Sequence, residues 1–196
     1  SVYLPIGLRL GTVYFFICFR GARAAPISQD ETGLATGQGY MSGPEEQAGQ
    51  AMRLGQYLTL AEFCTCTQTY RRYADQIDPW PQTRAETLPA LPALCEPIID
   101  PVIEQFGRDR FQLTYGFCSA NLKRWLAKKD PVTGVKHGKV SPHLDQHMAH
   151  EVNRHGRYYC ARLGAACDFR IRDLSSEALV SWMVAQGLPF DSLYFY

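Results

Sequence analysis

A chain of 196 residues, 46% hydrophobic and 20% charged, is long enough for one domain with a sizeable core and too apolar to be disordered throughout. Its net charge is +1, from 20 basic and 19 acidic residues, which argues against the broad basic field of a nucleic-acid binder. The seven cysteines are odd in number and show no disulfide framework, which points to a reducing compartment.

Residues 1–25 contain an apolar run, Val13 to Phe19, followed by Ala22-Arg23-Ala24, which has the look of a cleavage site. Arg20 directly after the run is wrong for a secretory signal, and the run is far shorter than the ~20 residues of a membrane span. Residues 26–50 are rich in Gly, Gln, Ser and Glu with no apolar period. The expectation is a disordered or non-native extension over 1–51, with translation starting at Met52 and the protein cytoplasmic. If residues 1–25 are a real signal, the protein is periplasmic or exported instead.

Organised sequence begins near Met52. Tyr57 to Tyr73 opens extended and passes into a helix, with Thr59 and Glu62 at capping-box spacing. Cys64 and Cys66 lie too close together for a CxxC site and read as ordinary, partly buried thiols. Asp78-Pro79-Trp80-Pro81 is a rigid loop. Leu91, Leu94, Cys95, Ile98, Val102 and Phe106 recur at helical steps. Pro97 and Pro101 oppose a plain helix, since an interior proline costs about 3 kcal/mol, so a kinked or two-piece helix is expected, ended by Gly107.

Phe111 to Tyr115 alternates as a half-buried strand. Asn121 to Lys129 is a short helix whose Lys123, Arg124, Lys128 and Lys129 form a solvated face. Asp130-Pro131 and Thr133-Gly134 turn the chain. His143 to Asn153 reads as helical. Tyr158 to Cys160 and Ala165 to Ile171 read as two strands or one interrupted strand. A last helix starts at Ser175-Ser176-Glu177, runs to Gln186 and is closed by Gly187. Ser192 to Tyr196 reads as a strand inside which the chain stops, so 52–196 is expected to be a single domain truncated at its C-terminus. Helices followed by mixed strands and helices imply an α+β class.

Several fragments in this order form a pattern. They are Thr59-Leu60-Ala61-Glu62, then Phe106-Gly107, then Tyr115-Gly116-Phe117-Cys118-Ser119 with Asn121 close behind. Ser141-Pro142-His143-Leu144 and Gly164-Ala165-Ala166-Cys167-Asp168 complete it. Together they resemble the zinc D-Ala-D-Ala carboxypeptidase-like branch of the hedgehog/DD-peptidase fold, over Tyr57 to about Ile171. The resemblance implies a small mixed or antiparallel sheet with packed helices. It also implies a divergent zinc metallopeptidase acting on a small peptide or peptidoglycan-like substrate.

The chain departs from the family pattern at two places. Cys118 stands where the family has an arginine that holds substrate charge. Ala161 stands where a metal-binding histidine is expected, seven residues before Asp168. A further metal histidine of the family would fall beyond Tyr196.

Three of the five histidines, His143, His147 and His150, crowd into one window. On a helix, His143 and His147 share a face, as do His147 and His150. A catalytic zinc takes three protein ligands and leaves a position open for water. The candidate metal ligands are therefore His143, His147 and Asp168. Glu151 is the candidate general base, and Cys118 and Ser119 lie in the implied substrate-binding segment. A bland alternative exists for each: a solvated helix face for the histidines, a strand-end turn for Asp168, and small buried thiols for the cysteines. The competing functions are a non-catalytic binding or structural module on the same fold, or a different cytosolic metal-dependent hydrolase.

Overall fold

The computed structural model describes residues 15–19, 51–138 and 146–195. Four strands, β1 (Phe15–Phe19), β2 (Phe111–Tyr115), β3 (Ala165–Ile171) and β4 (Ser192–Phe195), form one antiparallel sheet in the order β2-β3-β1-β4. Six α-helices accompany them: α1 (Leu60–Thr65), α2 (Gln68–Arg72), α3 (Arg84–Leu94), α4 (Asp100–Phe106), α5 (Ala120–Ala127) and α6 (Ser176–Ala185). The protein is thus α+β. No helix among the described residues is long and apolar enough to cross a membrane.

Local chemistry explains most of the boundaries. Thr59 caps α1 through its hydroxyl, and Glu62 reaches back to the Thr59 N–H at 2.9 Å, completing the capping box. Ser175 caps α6, and Gly187 at φ +64° follows its end. The long apolar stretch is indeed in pieces. Between α3 and α4, Cys95–Ile99 forms a π turn in which the Asp100 N–H donates to the Cys95 carbonyl five residues back. Such a turn widens the backbone where Pro97 has no N–H to give, and Pro101 falls in the first turn of α4, where a missing N–H costs little.

This bent helix packs on one face of the sheet. Leu94, Ile98, Ile99 and Val102 are fully buried, each contributing about 1.5–3 kcal/mol relative to exposure. Phe106 is only partly buried, edge-on to Trp182 at 5.0 Å. Along β3, Ala165, Cys167, Phe169 and Ile171 join this core. Alternation sends Asp168 and Arg170 to the opposite face, where Arg170 donates to Gln112 at 2.6 Å.

The expectation of an unstructured extension over 1–51 fails for residues 15–19. They are strand β1, paired with β3 through Ile17↔Cys167 and with β4 through Ile17↔Leu193. A short apolar run of aromatic and β-branched residues satisfies a doubly paired strand as well as a hydrophobic leader, and periodicity cannot separate the two. Because β1 has partners on both sides, its N–H groups are used in both ladders. Ile17→Pro should therefore lower Tm by roughly 6–12 °C, taking about 3 kcal/mol for an interior proline and 2–4 °C per kcal/mol at this chain length. Ile17→Val keeps the backbone donor and should lower Tm far less. A thermal melt that did not distinguish the two variants would mean that β1 is dispensable.

Candidate functional site

The site begins with an irregularity in the sheet. Pairing of β2 with β3 slips between Leu113↔Phe169 and Tyr115↔Asp168, leaving Thr114 as the extra residue of a bulge. The Thr114 hydroxyl donates to the Asp168 carbonyl at 3.0 Å, and the slip sets Tyr115 directly opposite Asp168. After the bulge the chain runs on as Gly116 to Ser119, tucked against α1. The Phe117 N–H donates to the Phe63 carbonyl at 3.0 Å, and the Gly116 N–H donates to the Cys66 sulfur at 3.0 Å. Cys66 is buried, and burial is the main cause that pushes its thiol pKa up to about 11. It acts here as an acceptor that fixes Gly116.

The segment after residue 145 packs against this stretch, the Cys118 N–H donating to the His147 carbonyl. The helix expected over His143 to Asn153 does not form in its described part. Gln146–Met148 is a single 3-10 turn, Ala149 follows at φ +46°, and Val152 bridges Tyr158. The left-handed Ala149 stops any helix, so His147 and His150 do not share a face. His150 Nδ1 lies 3.5 Å from Glu86, while its Nε2 accepts from the Gly164 N–H at 3.1 Å. His143 lies outside the described residues.

His147 is 5% exposed. Its backbone carbonyl accepts from the Cys118 N–H at 2.8 Å, and its ring sits 4.1 Å from that of Tyr115. Nδ1 lies 2.8 Å from the Gly116 carbonyl, and only a protonated nitrogen can bond to a carbonyl, so Nδ1 carries the proton. Nε2 faces Asp168 Oδ1 at 3.5 Å, and that oxygen is buried with no hydrogen bond.

The 3.5 Å separation can be set beside two geometries. An imidazolium donating to a carboxylate closes to about 2.7–2.9 Å. Donors of one tetrahedral zinc, held at about 2.0–2.2 Å, lie roughly 3.3–3.5 Å apart. The orphaned Asp168 oxygen and the turned-in Nε2 therefore fit two ligands of one ion, with the Gly116 carbonyl fixing the imidazole from behind. No third donor completes such a set among the described residues.

The remaining candidates have other surroundings. Glu151 is 1% exposed and fully engaged: its carboxylate accepts from the Gln82 and Thr83 N–H groups and from the Thr87 hydroxyl, at 2.9–3.2 Å. It holds the start of α3, where the Thr83 side chain makes no cap. Cys118 is fully buried. The Ser119 hydroxyl caps α5, accepting from the Leu122 N–H at 3.0 Å and donating to the Asp78 carbonyl at 2.6 Å. The structure thus brings His147 and Asp168 together, with Tyr115 and Gly116, which the sequence reading had placed only as strand and motif. Nothing in composition or periodicity marks the bulge at Thr114 that arranges them.

No family model, curated protein or solved structure matches this chain.

Proposed function

We propose that the protein is a divergent zinc-dependent metallopeptidase of the D-Ala-D-Ala carboxypeptidase-like type, acting on a small peptide or peptidoglycan-like substrate. The observation that carries this reading is the 3.5 Å approach of His147 Nε2 to the buried, unbonded Asp168 Oδ1. Zinc held there would act as a Lewis acid on a scissile carbonyl and lower the pKa of a bound water. The chain's own residues hold this corner in place. Gly116 orients the imidazole, Thr114 secures the Asp168 backbone, and the Tyr115 ring packs against His147. Glu151 serves as a positioning residue that ties the segment carrying His147 to α3, since its oxygens are already taken. The six buried free thiols among the described residues suit a reducing, cytoplasmic setting.

Metal analysis tests the proposal. The chain dialysed against zinc should retain about one ion, held weakly if only two protein donors reach it. His147→Ala and Asp168→Ala should each weaken binding by about 10–100-fold, as loss of a ligand or of its support does elsewhere. Cys64→Ala should not. His143→Ala asks whether that residue is the third donor. Absence of zinc from the wild-type protein would sink the metallopeptidase reading. Zinc retained without cleavage of a D-Ala-D-Ala dipeptide would sink only the substrate.

The second reading, a non-catalytic binding module, draws on a specific observation. Cys118 is fully buried where an exposed cation would be needed, and both Glu151 oxygens already accept hydrogen bonds.

A further inference from the structure

A cleft of about 520 Å³, within the usual range for a small-ligand site, opens between α5 and the loop after Glu151. Ser119 and the first turn of α5 line one side, and the Asp78 to Gln82 turn lines another. The third side is the loop after Glu151, which is folded rather than loose. Val152 bridges Tyr158, and Asn153 Oδ1 accepts from the His155 and Arg157 N–H groups at 2.8 and 3.2 Å.

The charges in the cleft are unequal. Arg124 from α5 and Arg154 from the loop both line it, against one carboxylate, Asp78. Both oxygens of Asp78 are engaged, Oδ1 by the Trp80 N–H at 3.1 Å and Oδ2 by the Gln82 side-chain amide at 2.9 Å. The ion pairs of the described residues involve Arg108, Arg172, His147 and His150, so neither cleft arginine is neutralised by a carboxylate there. Arg154 Nε donates to His155 Nε2 at 3.1 Å, which leaves the outer guanidinium edge available. Lys123 adds positive charge at the margin, its Nζ 4.3 Å over the ring of Tyr159. Two arginines lining one concavity, neither paired with a carboxylate among the described residues, are a recognition arrangement for an oxyanion.

We infer that this cleft binds a small ligand through a carboxylate or phosphate group held between Arg124 and Arg154. Gly116, which orients His147, and Ser119 in the cleft are three positions apart, a span of at most about 10 Å. Identifying the ligand as the substrate rests on the function proposed above. The binding itself does not, because no cleft residue is a candidate metal ligand.

Titration calorimetry of the full chain with N-acetyl-D-alanine and, separately, inorganic phosphate tests the inference, with and without zinc. One probe should saturate, and its affinity should fall about tenfold or more in the Arg124→Gln/Arg154→Gln double variant. Both side chains are exposed, so the double variant should melt with the wild type. Saturation by the carboxylate alone assigns a peptide-like ligand; saturation by phosphate alone assigns a phosphoryl ligand. No saturation by either probe up to about 10 mM, or equal affinity in the double variant, overturns the site. Anion binding that persists in a chain unable to retain zinc removes the metallopeptidase reading and leaves the cleft standing.

Discussion

Glu151→Ala should lose about 3–5 kcal/mol of folding stability. The carboxylate is buried and accepts from two backbone N–H groups and one hydroxyl at the entry to α3. Truncation leaves those donors without a partner, and a buried unsatisfied donor costs more than the bond was worth. At about 2–4 °C per kcal/mol, Tm should fall by roughly 6–20 °C. Glu151→Gln keeps an acceptor oxygen but points an amide NH2 at donors, so its loss should be intermediate. A general base behaves differently: its Gln variant would keep stability and lose turnover. Denaturant melts of both variants within about 1 kcal/mol of wild type would mean that Glu151 is not the structural tie.

Gly116→Ala should damage both stability and zinc binding. A Cβ built there runs into the Phe63 carbonyl and crowds the Phe63 ring. That carbonyl cannot swing aside, because it accepts from the Phe117 N–H. Relief requires the Gly116–Ser119 segment to lift from α1, which also strains the Gly116 contact to Cys66. Overpacking of this kind costs about 1–3 kcal/mol. A second consequence sets it apart from ordinary destabilisation. The Gly116 carbonyl orients His147, so zinc affinity should fall in a variant whose metal donors are all intact. If Gly116→Ala melts lower yet holds zinc as the wild type does, the carbonyl is not what orients the ring.

Legibility in the sequence tracks how local each determinant is. The α1 capping box, the α6 caps and the broken helix around Pro97 were readable because each depends on neighbours a few residues apart. Asp168 on an inner strand beside Tyr115 was also readable, from an alternating run and a motif order. The segment after His147 was misread because histidine spacing says nothing of backbone sign, and Ala149 at positive φ has no composition signal. The purpose of Glu151 was hidden for another reason. Its partners Gln82, Thr83 and Thr87 lie more than sixty positions away, beyond any pattern window. The same distance conceals β1, whose partners lie near the other end of the chain.

The placing of β1 bears on how the molecule is made. Its two neighbours in the sheet, β3 and β4, come late, the nearer of them about 145 residues downstream. At ~5–20 residues per second, a ribosome needs roughly 7–30 s to supply the first partner. Until then a strand with the sequence FFICF has two open edges and no ladder. The sheet therefore closes only after residue 195 has been made, through contacts of very high sequence separation, which are the slow ones to form. An apolar strand left unpaired for that interval is an aggregation hazard of the nascent chain, separate from the stability of the finished fold.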